Sequence, residues 1–173
     1  GGSASNIGQS TNAAGNLVLG GGTLPYTGST ATTDRAFTLT AATTSTIDVT
    51  NALTISGAAA ATTGALTKVG AGTLTLSASN AYTGATTINA GTLQLGATTN
   101  ALSTSTAVTL ANTSGAVLDV NGKTQTIASL AGGGGTGGNV TLGAGTLTVN
   151  GSTSTTYSGV ISGTGGALVK NGT

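Results

Sequence analysis

Ala71-Gly-Thr-Leu-Thr-Leu76 returns almost unchanged, one short unit later, as Ala90-Gly-Thr-Leu-Gln-Leu95. The core of that phrase also stands at Gly21-Gly-Thr-Leu24 and Ala144-Gly-Thr-Leu-Thr-Val149. A unit this short cannot enclose a core of its own. It buries an apolar face only by stacking on neighbouring units, which is the signature of a solenoid. A chain of this kind is first of all an extended surface.

The repeated phrase also sets the local structure. In Phe37-Thr-Leu-Thr40, Thr73-Leu-Thr-Leu76 and Thr146-Leu-Thr-Val149 the alternation has a strict period of two. Leu or Val then faces one way and Thr the other. Thr is β-branched and suits a pleated, half-exposed surface, and Thr supplies 39 of the 173 residues. Apolar residues nowhere recur at three-and-four spacing over a helical length, so the chain reads as all-β. Strands are expected at Asn16–Leu19, Thr23–Tyr26, Ala36–Thr40, Thr46–Val49, Ala52–Ile55, Ala65–Lys68, Thr73–Leu76 and Thr86–Ile88. They continue at Thr92–Leu95, Ala107–Leu110, Val117–Val120, Thr124–Ile127, Asn139–Leu142, Thr146–Val149, Tyr157–Ile161 and Ala167–Val169.

A β-sandwich would use hairpin turns and bulky inward residues. Asn121-Gly122, Asn150-Gly151 and Asn171-Gly172 are turns of the hairpin kind, but one Phe and three Tyr give little bulk. The repeat favours a parallel β-helix, in which each coil lies ~4.8 Å above the last. Three short strands and three turns fill a coil of roughly 20–25 residues. Residues 1–173 read as one β-helical segment.

Composition removes several functions. Seven residues are charged: Asp34, Arg35, Asp48, Lys68, Asp119, Lys123 and Lys170. Four scattered cations cannot displace phosphate counterions, so nucleic acid is not an expected partner. No run of 18 apolar residues is present for a membrane-spanning helix, and a membrane barrel would need aromatic girdles. Stability and self-association are expected to vary weakly with salt, and with pH between about 5 and 9. Without His, Cys or Glu there is no triad, thiolate or usual zinc set. No catalytic, cofactor-binding or metal-ligating residue is assigned.

The remaining candidates take structural readings. Asp48 and Asp119 alternate with apolar neighbours and read as outward strand residues. Asp34-Arg35 reads as a surface ion pair, and Gly132–Gly138, which lacks the Lys-Ser/Thr of a phosphate loop, as a flexible corner. Tyr26, Tyr82 and Tyr157 share the context Tyr-Thr/Ser-Gly, which suggests an identical seam-covering place in each repeat; a carbohydrate stack is the alternative. Thr-x-Thr pairs at Thr38/Thr40, Thr73/Thr75, Thr104/Thr106, Thr124/Thr126 and Thr146/Thr148 raise ice binding, but their spacings drift from 35 to 31, 20 and 22.

Leu66–Leu95 resembles the passenger-associated transport repeat, also called the autotransporter-associated β-strand repeat. The resemblance is carried by Lys68, Gly70, Gly72-Thr-Leu-Thr-Leu76, Asn80-Ala-Tyr-Thr-Gly84, Thr86-Thr-Ile-Asn89 and Gly91-Thr-Leu93. A partial copy runs from Tyr157 to Thr173. The resemblance implies a right-handed parallel β-helix, secreted or exposed on a bacterial cell surface as a type V passenger. The function expected is a non-enzymatic stalk, scaffold or filament unit, with an adhesin for glycan or cell surface as the alternative.

Ala167-Leu-Val-Lys170 matches the front of the repeat, and Ser3-Ala-Ser-Asn6 matches Ser77-Ala-Ser-Asn80 at its back. End-to-end association of copies, or covalent continuation into further repeats, is therefore expected.

Overall fold

The computed structural model describes residues 11–172; the motif at Ser3–Asn6 lies outside them. All described strand pairings are parallel, and the chain winds as a three-sided β-helix of about seven coils. One flank is a six-stranded sheet of Thr23–Tyr26, Thr44–Val49, Ala65–Val69, Thr86–Ile88, Ala107–Leu110 and Ser129–Gly132. The next is seven-stranded: Ala31–Thr33, Ala52–Ile55, Thr73–Leu76, Thr92–Leu95, Val117–Asp119, Asn139–Thr141 and Ile161–Ser162. The remaining flank is interrupted. It pairs Val18–Leu19 with Thr38–Leu39, continues through the Phe37–Ala59 and Thr99–Thr124 bridges, and closes with Thr124–Ile127, Thr146–Val149 and Ala167–Lys170.

Registry puts like on like. Leu53, Leu74, Leu93, Leu118 and Val140 form one inward column on the seven-stranded flank, each buried. Ile55, Leu76 and Leu95 form a second. The restated phrase of the sequence is the pairing of Thr73–Leu76 with Thr92–Leu95. Burial along Thr73-Leu-Thr-Leu76 alternates as the period of two requires.

The parallel β-helix is the architecture expected. Most expected strands are found, with differences at the corners. Tyr157–Ile161 is not one strand: Tyr157 bridges to Gly132 on the six-stranded flank, and Ile161–Ser162 pairs on the seven-stranded one, so the segment turns a corner. Ala36–Thr40 contracts to Thr38–Leu39, with Phe37 in an isolated bridge. Ala31–Thr33 and Ser129–Gly132 are additional strands; the latter has no alternation, Ser129 and Leu130 both being buried. Asn121-Gly122, far from making a hairpin, joins Val117–Asp119 on one flank to Thr124–Ile127 on the next, with φ of 55° and 69°.

Glycine matters most where coils touch. Gly91 has φ of +63°, and a Cβ there would strike the carbonyl oxygens of Gly70 and Gly72 in the coil below. The Gly-x-Gly of the repeat is therefore a close backbone approach.

Candidate functional surface

The six-stranded flank brings Lys68 to an unusual place. In register it lies between Ile47 and Ile88 in an inward column, and it is fully buried. Its ammonium donates to the carbonyls of Val69 at 2.7 Å, Gly70 at 2.8 Å and Ala90 at 3.2 Å. Three donors meet three acceptors, which is what a buried ammonium needs. Burial lowers its pKa to about 8, opposed by the charge of Asp48. Sensitivity to pH therefore begins inside the window where little is expected from the sequence.

Asn80 is the second join. Its Oδ1 accepts from the Ala59 amide at 2.7 Å in the coil below. Its Nδ2 donates to Ala78 O at 2.9 Å and to Ala101 O, in the coil above, at 2.8 Å. Tyr82 follows shortly after, fully buried, its hydroxyl 2.9 Å from Thr86 Oγ1. Burial raises the Tyr82 pKa, and the Thr86 hydrogen bond works against it. Gln125 plays a similar part on the interrupted flank, exchanging hydrogen bonds at 3.0 Å with both the amide and the carbonyl of Leu102. Nothing in the sequence around Gln125 announces a buried amide.

The three tyrosines do not share one corner. Tyr26 is a buried strand residue whose hydroxyl donates to Ser29 O, Tyr82 lies in an irregular segment before the strand Thr86–Ile88, and Tyr157 sits at a bridge with its hydroxyl on Gly138 O at 2.7 Å. Burial pushes the Tyr157 pKa up to about 12, against a hydrogen bond from backbone at Val140. The shared Tyr-Thr/Ser-Gly phrase thus meets three different surroundings.

Arg35 is also buried, not a surface charge, and its Nη1 donates to Thr11 O at 3.2 Å; Asp34 beside it is exposed. Backbone crowding around Arg35 is permitted by Gly57 of the next coil, whose missing side chain would overlap it. The glycine run is a corner as expected, though a pinned one. Asn112 Oδ1 accepts from Thr136 N at 2.9 Å and Gly137 N at 3.1 Å.

Outside, the seven-stranded flank carries a chain of side-chain hydrogen bonds across four coils. Thr75 Oγ1 donates to Gln94 Oε1 at 3.1 Å, and Gln94 Nε2 to Asp119 Oδ2 at 2.8 Å. Thr141 Oγ1 donates to Asp119 Oδ1 at 3.0 Å. Asp119, like Asp48, faces outward as the alternation requires. On the six-stranded flank Thr23, Thr46, Thr67, Thr87 and Thr109 form one outward column. Pairs of the Thr-x-Thr form do not reveal it, because each coil contributes a single member and the step from coil to coil varies. Among the described residues no group of three or more His, Cys, Asp or Glu could hold a metal, and no helix is long and apolar enough to cross a membrane.

Residues 66–95 match the family model of the passenger-associated transport repeat. The chain is 48% identical over 176 residues to the adhesin BmaC autotransporter of Brucella suis biovar 1 (strain 1330), an alignment covering 99% of this chain and 5% of the adhesin. No solved structure matches significantly. The chain thus spans about one twentieth of that relative's length. Its matched window is also where Lys68 and Asn80 join one coil to the next, and where Tyr82 is buried against Thr86 of its own coil. The chain carries a passenger-associated transport repeat at residues 66–95 and is a parallel β-helix similar along nearly its whole length to an autotransporter adhesin.

Proposed function

We propose that this chain is a non-enzymatic, surface-displayed stalk segment whose work is mechanical. The observation that carries this reading is that the repeat's signature side chains, Lys68, Asn80 and Tyr82, are buried in bonds within and between coils. None of them faces solvent to meet a ligand. Hydrogen-bond ladders run along the axis, so each coil templates the next, and the outer columns of Thr and amides present a nearly uncharged surface. The relative's place among autotransporters supports display outside the cell.

In the last described coil Val160, Leu168 and Val169 are 60%, 49% and 38% exposed. Of these Leu168, in register with the buried Leu147, faces inward, and burying it takes one further coil, from following repeats or from another copy of the chain. Sedimentation of the isolated chain separates these: concentration-dependent growth supports copies stacking, and a monomer at high concentration removes that arm.

An adhesin is the second reading, favoured by the name of the relative. The purified chain is tested on glycan arrays and on host cells, with circular dichroism confirming β structure. A folded chain without saturable binding supports the stalk. Saturable binding overturns it in favour of the adhesin.

A further inference from the structure

Three Asn-Gly steps punctuate the chain, and two of them lie in the same tripeptide, Val120-Asn-Gly122 and Val149-Asn-Gly151. The fold treats these two differently. At the first, Asn121 Nδ2 donates to Leu95 O at 3.3 Å and its amide to Asp119 Oδ1 at 2.8 Å. The Gly122 amide that follows is itself bonded, to Leu142 O at 3.0 Å. At the second, the Asn150 amide is held by Ile127 O at 2.9 Å, but its exposed side chain and the Gly151 amide have no hydrogen bond among the described residues.

From this contrast we infer that Asn150 is a site of spontaneous self-modification, while Asn121 is protected by the fold. The Gly151 amide nitrogen, losing its proton to base, attacks Asn150 Cγ. The new C–N bond closes a five-membered imide as the Cγ–Nδ2 bond breaks and ammonia leaves with that proton. Water then opens the imide at either carbonyl, giving aspartate or its β-linked isomer. No electrons are exchanged. Glycine favours the attack because it has no side chain to crowd the ring. At Asn121 the attacking amide must first leave Leu142 O, and the carboxamide must leave Leu95 O.

The consequence is local. Val149 pairs with Lys170 in the adjacent coil, and the Lys170 ammonium donates to Gly151 O at 3.3 Å. A new carboxylate at position 150 enters beside that ammonium. The β-linked product adds a backbone atom at the corner and loosens the pairing there.

The test uses the intact chain. Cleavage after lysine places Asn121, Asn150 and Asn171 on three separate peptides, because Lys123 and Lys170 lie between them. Native and urea-unfolded samples are aged at mildly alkaline pH, and the amide-to-acid mass gain is located by fragmentation. In urea the two matched tripeptides should convert at similar rates. In the native chain Asn150 should convert roughly tenfold faster than Asn121 or more, the worth of about one hydrogen bond that must open first. Equal native rates, or a faster Asn121, overturn the inference. An Asn150→Gln variant should lose the native signal from its peptide; persistence of that signal would place the reaction elsewhere and sink the assignment as well.

Discussion

The Lys68 ammonium donates to the carbonyl of Ala90, 3.2 Å away in the next coil. Its neighbours in the inward column, Ile47 and Ile88, are apolar. A charge is thus placed where a leucine would satisfy the pattern, and it ties two coils by their backbones.

That placement gives a pH signature. The folded pKa of Lys68 is about 8, below the ordinary value of about 10.4, so between them the unfolded chain binds more protons and unfolding free energy rises with pH. Tyr82 and Tyr157 act oppositely. Their folded values are raised, so above about 10 the folded chain keeps protons the unfolded one has released, and stability falls. Urea midpoints from pH 7 to 11 should pass through a maximum at the alkaline end. Lys68→Met should abolish the rise and keep the fall.

Leu93 stacks between Leu74 and Leu118 and is fully buried. Leu93→Asp buries a charge with no partner and should cost about 3–5 kcal/mol. Thr75→Ser keeps the hydroxyl that donates to Gln94 and should be nearly silent. Equal thermal melts for the two would mean the register is wrong.

Asn80→Ala strands the Ala59 amide and removes the side-chain donor to Ala78 O and Ala101 O, the latter still accepting from the backbone amide of residue 80. A loss of about 2–3 kcal/mol is expected from the unsatisfied buried donor. Asn80→Asp should be no milder at neutral pH, since it keeps the acceptor but removes both donors. Chemical denaturation reads both variants.

Gly91→Ala forces a side chain into left-handed backbone against two carbonyls and should cost about 1–3 kcal/mol or more. Gly22→Ala, with nothing within 4 Å of the added carbon, should leave the melting temperature close to that of the parent.

The strands and the inward Leu columns were legible because a period of two, restated coil by coil, admits little else. The corners were not. Tyr157 and Ile161 read as one strand when the bend at Ser158-Gly159 between them is passed over, yet they pair on different flanks. Arg35 reads as a surface charge because its surroundings include a coil that arrives later in the sequence, where Gly57 packs against the Arg35 backbone. The outward threonine column was hidden for a similar reason: its members are coil neighbours, never sequence neighbours. Lys68 and Asn80 were visible as signature residues, but their bonds depend on which backbone arrives from the next coil.

Coil length is not constant, and this bears on how such a chain changes over time. The coil that carries Thr92 onto Val117 is longer than the one that carries Thr73 onto Thr92, yet both pairings hold the same register. The surplus is taken up in the bends, where loop length costs little, while the columns of Leu and Thr stay aligned. Insertions and deletions at the bends are therefore close to neutral. A residue gained inside a strand would turn every side chain after it to the wrong face. Length variation between homologous passengers should collect at the three edges of the prism and spare its sides.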